Sequence, residues 1–157
     1  MQYTRVKRPR WKAAHYYNRL QRFYDLIAGP FEWPKTKIGI DLLDPRSGES
    51  ILEIGSGTGK ALVEMARRVG DGGKVFGIDI SKNMVKKAER RLQAKNFAER
   101  ALVKREDALT ANIHDITGFP RFDGIFMSFT LELFDTKEIP LLLNKLKPLL
   151  KRYDGRM

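Results

Sequence analysis

The chain has 157 residues, 42% apolar and 31% charged, the balance of a globular domain with a single core. It has no cysteine and two histidines, His15 and His114, which excludes disulfides, thiolate metal sites and a cysteine nucleophile and leaves little for a metal centre. Its formal charge of +11 favours anionic partners: nucleic acid, an anionic lipid surface, or an acidic small molecule. No apolar run approaches the roughly 20 residues that cross a bilayer. The basic N-terminus lacks a following apolar stretch, so no signal peptide is read. The expected location is the cytoplasm, with peripheral contact at a membrane surface as the second option.

Residues 1–10 show no periodicity and read as a loose arm. Ala13, Tyr16, Tyr17, Leu20, Phe23, Tyr24 and Ile27 then recur at helical steps of three and four. Gly29-Pro30 reads as the stop of that helix. Pro34 reads as the opener of a second helix, with Ile38, Leu42 and Leu43 inward. Residues 1–45 thus form an arm and a helical lid. Residues 46–157 form the main domain.

Asp44-Pro45-Arg46-Ser47-Gly48 is a turn. Strand one spans Ser50 to Ile54, and three glycines at Gly55, Gly57 and Gly59 follow it. A helix from Gly59 to Val69 buries Leu62, Met65, Ala66 and Val69. Strand two is 74–79. Ser81 caps a helix that turns Met84, Val85, Ala88 and Leu92 inward. Strand three is 101–105. A looser segment, 108–121, carries His114 and Pro120. Strand four is Asp123 to Ser128. Thr136 caps a last helix that buries Ile139, Leu142, Leu143 and Leu146, with Pro140 in its first turn. Pro148 ends it.

Strands alternating with helices make an α/β fold with a Rossmann-like parallel sheet, order 3-2-1-4, helices on both faces and an N-terminal helical cover. Ligands in such sheets sit beyond the carboxyl ends of the strands. Here those ends are Gly55–Gly59, Asp79, Asp107 and Ser128–Glu132. A carboxylate at Asp79 suits the two hydroxyls of a ribose. Ile80 can cover a purine face. Asp107 can accept from an exocyclic amine, and the Ala108 N–H can donate to a ring nitrogen. Glu53, just before the glycines, disfavours a pyrophosphate and favours an ammonium or a sulfonium. The spacing is neither G-x-G-x-x-G nor a P-loop, since Ala61 follows Gly59-Lys60.

Glu53-Ile54-Gly55-Ser56-Gly57-Thr58-Gly59 resembles motif I of class I S-adenosylmethionine-dependent methyltransferases. Val75 to Ser81 resembles their second motif, Glu106-Asp107-Ala108 the third, Phe122 to Phe129 the fourth, and Leu146-Lys147-Pro148 the approach to strand five. The quinone C-methyltransferases and phosphatidylethanolamine N-methyltransferases are the most similar in kind.

The resemblance implies S-adenosylmethionine, with no metal, held by Glu53, Gly55, Ser56, Gly57, Gly59, Asp79, Ile80, Asp107, Ala108 and Ser128. It also implies methyl transfer by in-line displacement to a small-molecule or lipid-like acceptor. The alternatives are an RNA or other nucleic-acid methyltransferase, suggested by charge, and a non-catalytic cofactor-binding remnant. His114, Glu132, Tyr24 and the neighbouring Tyr16 and Tyr17 are the candidate bases. Family members carry strands five to seven, which are missing here. Strand four is therefore expected to be a bare edge, covered by a second copy of the chain or exposed because the chain is a fragment.

Overall fold

The computed structural model describes residues 29–152 and 154–157. The aromatic helical pattern over 13–27, with Tyr16, Tyr17 and Tyr24, lies outside the described residues. The described elements begin with helix α1, Gly29–Leu43. Then come β1 (Ser50–Ile54), α2 (Lys60–Val69), β2 (Lys74–Asp79), α3 (Lys82–Ala94) and β3 (Ala101–Arg105). A short α4 (Ile113–Thr117), β4 (Gly124–Phe126), a 3₁₀ turn (Leu131–Leu133) and α5 (Glu138–Leu146) complete them, with a second 3₁₀ turn over Lys147–Leu149.

The four strands are parallel and lie in the order β3-β2-β1-β4. Side chains alternate across the sheet. Ile51, Val75, Ala101, Val103 and Phe126 pack with α1, α2 and α3 on one face. Leu52, Ile54, Phe76, Ile78 and Ile125 pack with Ile113 of α4 and with Leu142 and Leu146 of α5 on the other. Burial on both faces explains why β1 and β2 read as continuous apolar runs. The faces of α2 and α3 are those the periodicity gives: Leu62, Met65, Ala66 and Val69, then Met84, Val85, Ala88 and Leu92. The Ser81 hydroxyl accepts from the Met84 N–H at 3.3 Å, the expected cap.

Several expectations need correction. Pro34 lies inside α1 rather than opening it, since the helix already runs from Gly29. Its ring replaces an N–H that would have reached the carbonyl of residue 30. The helix that Gly29-Pro30 is expected to stop lies outside the described residues. The helical phase of α1 is set by Ile40 and Leu43, which are buried, so Ile38 and Leu42 face outward. The segment 108–121 is not merely loose. Asn112 caps α4, and Gly118 (φ 71°) closes it.

β4 stops at Phe126 instead of Ser128, because Phe126 pairs with Glu53, the last β1 residue in that register, and β1 then turns away at Gly55. At the start of α5 the hydrogen bonds run between Asp135 and Glu138 (Asp135 N–H to Glu138 Oε2, 3.1 Å) and from the Lys137 N–H to Asp135; the residue before the helix is Lys137, not Thr136.

The outer edge of β4 is not bare. Phe122 bridges Leu150 and Gly124 bridges Arg156, both parallel. The Ile125 N–H donates to the Arg156 carbonyl at 2.8 Å, and the Arg156 N–H to the Asp123 carbonyl at 2.9 Å. The Arg156 guanidinium pairs with Glu49 across the sheet. Asp123 anchors the same corner, accepting from the Ser50 N–H (2.8 Å) and from Lys151 (2.6 Å). The chain's own C-terminal residues thus occupy the side of β4 that a further strand would take.

Candidate functional site

Strand order reverses between β1 and β4, and a cavity of about 170 Å³ opens beyond the carboxyl ends of the strands there. It is lined by Glu53, Gly55, Ser56, Gly57, Asp79, Ile80, Asp107, Ala108 and Ser128. Nine of the ten residues expected to hold the cofactor therefore meet in one place. Gly59 does not line it.

The three glycines have three different jobs. All have positive φ, 75° at Gly55, 51° at Gly57 and 77° at Gly59. A Cβ on Gly55 would lie 2.4 Å from the Thr130 hydroxyl. A Cβ on Gly59 would lie 2.8 Å from the Ala88 Cβ and 2.9 Å from its Cα, so Gly59 serves the packing of α2 against α3. A Cβ on Gly57 would meet nothing within 4 Å and would fill cavity space. These contacts separate stability from binding. Gly55→Ala and Gly59→Ala should each lose about 2–4 kcal/mol of stability, from strain plus overpacking. Gly57→Ala should lose about 1–2 kcal/mol from strain alone. Yet Gly57→Ala should weaken ligand binding most per kcal/mol of stability lost. Urea melts and calorimetry on the three variants check the ranking.

Glu53 comes from the middle of the core. It follows Leu52 on β1, is 3% exposed, and leaves Oε2 without a hydrogen-bond partner among the described residues. Burial, and then the negative charge of Asp79, push its carboxyl well above the ordinary value of 4.5. The buried Ser56 hydroxyl is likewise unpartnered among the described residues. Two orphaned acceptors at one cavity wall are costly unless a donor arrives from the cavity.

Asp79 sits at the end of β2. Its Oδ2 accepts from the Gly57 N–H and its Oδ1 from the Ser81 N–H, both at 2.8 Å. Burial raises its carboxyl above the usual 3.8, against the pull of those amides. Each carboxylate oxygen has a second lone pair, so the group can still accept from a ligand's hydroxyls. Asp107 accepts from the Leu109 N–H at 2.9 Å and turns the chain after β3. The Ala108 N–H donates to no group among the described residues.

Several contributors carry no local sequence signal. The Thr130 hydroxyl donates to the Ile54 and Ser128 carbonyls at 3.1 and 3.0 Å, tying the ends of β1 and β4 together. Phe129 lines the cavity at φ +53°, a left-handed conformation that costs a bulky residue about 1–3 kcal/mol. Arg91 reaches from α3 to the Thr58 hydroxyl and carbonyl, both at 2.8 Å, and braces the glycine loop. From α1, Glu32, Trp33 and Thr36 close the cavity on the side of Ser128, whose hydroxyl bonds Thr36 at 2.9 Å.

Of the candidate bases, His114 and Glu132 do not line this cavity. His114 is exposed on α4, with Asp115 as its near neighbour at 3.6 Å. Glu132 is exposed on the 3₁₀ turn, between Leu131 and the cavity-lining Leu133. Tyr24 lies outside the described residues. No group of histidine and carboxylate side chains placed to hold a metal occurs among the described residues. Nor does any described helix have the length and apolarity to cross a membrane.

A parallel sheet in the order 3-2-1-4, a glycine turn after β1 and acids ending β2 and β3 define the nucleotide-binding half of a class I methyltransferase fold. Residues 51–153 match the family model described as a methyltransferase domain, and the chain belongs to that family. It is 35% identical to the nocamycin O-methyltransferase of Saccharothrix syringae over 90% of this chain and 48% of that protein. It is 32% identical to the ubiquinone/menaquinone biosynthesis C-methyltransferase of Teredinibacter turnerae over 74% of this chain and 45% of that one. A crystal structure of a SAM-dependent methyltransferase from Aquifex aeolicus superposes with a TM-score of 0.62 at 26% identity, over 74% of this chain and 58% of that chain. The chain spans about half the length of the curated relatives it matches.

Proposed function

We propose that this chain binds S-adenosylmethionine and passes its methyl group to a small-molecule or lipid-like acceptor. The observation that carries the binding is the Glu53 carboxylate, wholly inside the protein with Oε2 unpartnered at the cavity wall. An amino-acid ammonium is the donor this acceptor lacks. The rest of the donor set fits the same molecule. Gly57 keeps the wall low, Asp79 would accept from ribose hydroxyls, Ile80 would cover the purine, and Asp107 with the Ala108 N–H would take the adenine edge, all of them residues that line the cavity.

When bound, S-adenosylmethionine would supply an electrophilic sulfonium methyl, to which an acceptor atom would bond in line as the carbon–sulfur bond breaks and S-adenosylhomocysteine leaves. The protein's task is then mainly positioning. Thr130 and Arg91 hold the two loops that set that position, and α1 covers the side facing Ser128. The acceptor class is supported by the relatives, whose names describe a nocamycin O-methyltransferase and a ubiquinone/menaquinone C-methyltransferase.

A second reading, methylation of RNA, is supported by the exposed cations of α3 and β3, among them Lys86, Arg90, Lys104 and Arg105.

Calorimetry with S-adenosylmethionine and S-adenosylhomocysteine tests the site. Transfer of radiolabelled methyl into lipid, nucleic-acid and small-molecule pools tests the reaction. Binding of both ligands, with label in the small-molecule or lipid pool, is expected. Absence of both heat and thermal shift overturns the binding. Binding without label in any pool leaves a cofactor-binding protein and overturns the transfer. Label in RNA overturns the acceptor class.

A further inference from the structure

Helix α5 carries Lys145 in its last turn. A lysine there ordinarily serves the last carbonyls of its own helix. This one reaches away from it. Its ammonium donates to the Leu109 carbonyl, 36 residues back in the chain, at 2.8 Å. Leu142 and Leu146, which flank it on α5, are buried in one cluster with Ala108, Ala111 and Ile113, so packing brings α5 to the loop that follows β3. Lys145 itself is half-buried. Burial lowers its pKa below the ordinary 10.5, and the negative charge of Asp107 opposes that shift.

The same loop holds the two groups assigned above to the adenine edge. Asp107 and Ala108 line the cavity, whereas Leu109 and Lys145 do not. Leu109 is fastened at both ends. Its N–H donates to Asp107 Oδ1 at 2.9 Å, and its carbonyl accepts from Lys145. The Asp107 carbonyl in turn accepts from the Thr110 and Ala111 N–H groups at 3.1 and 2.8 Å. With Leu109 held, the Asp107 carboxylate cannot turn without giving up the Leu109 N–H, and the Ala108 peptide keeps its direction.

We propose that Lys145 is a positioning residue for recognition of the adenine amine: through Leu109 it fixes the Asp107 carboxylate and the Ala108 N–H at the cavity wall. This rests on the cofactor site proposed above. An exocyclic amine donates to a carboxylate, whereas an oxo group at the same ring atom sets acceptor against acceptor. The preference for the amine therefore depends on the angle at which Asp107 is held.

Calorimetry with S-adenosylhomocysteine and with S-inosylhomocysteine, which has an oxo group in place of the amine, tests this. Wild-type protein should favour the amine by about 100-fold or more. Lys145→Met keeps the stem and removes the ammonium. It should weaken S-adenosylhomocysteine about tenfold and change S-inosylhomocysteine by less than about twofold, so that the preference shrinks. Lys145→Arg keeps a charged donor and should hold the wild-type preference to within about threefold. Lys145→Gln should lie between, and it reads the same preference should Lys145→Met fail to fold. In an Asp107→Ala background, Lys145→Met should weaken S-adenosylhomocysteine by less than about twofold.

Equal losses for both ligands, or a methionine or glutamine variant with the full wild-type preference, overturn the role and leave Lys145 a support of the fold. So does an arginine variant as indifferent as the methionine one, or an undiminished effect of Lys145→Met in the Asp107→Ala background. Wild-type protein that binds both ligands equally well overturns this role and leaves the cofactor site standing. Wild-type protein that binds neither overturns the cofactor site and this role with it.

Discussion

Asp79→Ala should lower affinity for S-adenosylhomocysteine by about 100-fold or more and also lower the melting temperature. The carboxylate does two jobs at once. It accepts from the Gly57 and Ser81 amides, fastening the glycine loop to the end of β2. It also presents its remaining lone pairs to the cavity. Hydrogen bonds to a charged group contribute about 1.5–3 kcal/mol each, and removing the acceptor leaves two amides without a partner. A stability loss of about 2–4 kcal/mol follows, or roughly 5–15 °C for a domain of this size. The binding loss adds the ribose contacts and the slackened Gly57 wall. Asp79→Asn should fall between, since one amide oxygen still accepts while the NH₂ group meets an N–H donor. Calorimetry on folded Asp79→Ala decides the matter: wild-type affinity there would place the ribose somewhere else.

Glu53→Gln should have opposite effects on stability and on binding. In the absence of ligand, ionised Glu53 has little to compensate its burial. Its carboxyl in the folded protein titrates above the unfolded value near 4.5, so between those two values the folded state binds more protons than the unfolded one. Stability from this group is therefore fully present below about 4.5 and declines as pH rises toward the raised folded value. Asp79, also raised, contributes in the same direction from near 3.8 upward. The glutamine variant has no such charge to bury. It should be more stable than wild type at neutral pH, by about 1–3 kcal/mol, and should lose most of this pH dependence.

Binding runs the other way. A ligand ammonium favours ionised Glu53, so wild-type affinity for S-adenosylhomocysteine should rise with pH through the raised value, and Glu53→Gln should bind about 100-fold more weakly. Guanidine melts and calorimetry between pH 5 and 8 measure both effects. A glutamine variant that is less stable without ligand, yet binds like wild type, would show Glu53 to be a structural carboxylate rather than an acceptor awaiting a cation.

Where the site was legible, the signals were local. Apolar runs of five or six residues bounded by glycine or an acid mark strands buried on both faces, and β1 and β2 fall on the residues those runs predict; β3 also falls on its expected residues, with one face buried and the other exposed. Each such strand ends at the crevice, so the residue after it is brought to the ligand without knowledge of the packing. That is why Glu53, Asp79 and Asp107 could be grouped before any contact was seen. The catalytic candidates had no such support. His114 and Glu132 rest on residue type alone; His114 is exposed on α4, Glu132 is exposed on the 3₁₀ turn, and neither lines the cavity.

The sequence by itself determined the strands, their alternation with helices, the inward faces of α2 and α3, and the three acidic positions around the glycine turn. These follow from periodicity, capping and strand burial, which act within one turn or one strand. The tertiary structure alone decided which glycine faces open cavity space, which face of α1 is inside, how α1 continues through Pro34, and what pairs with the outer edge of β4. It also decided that Thr130 locks β1 to β4 and that Thr36 meets Ser128, contacts 76 and 92 residues apart in the chain. Groups that distant leave no spacing to read. Their pairing is fixed by which surfaces close-pack once the sheet has formed.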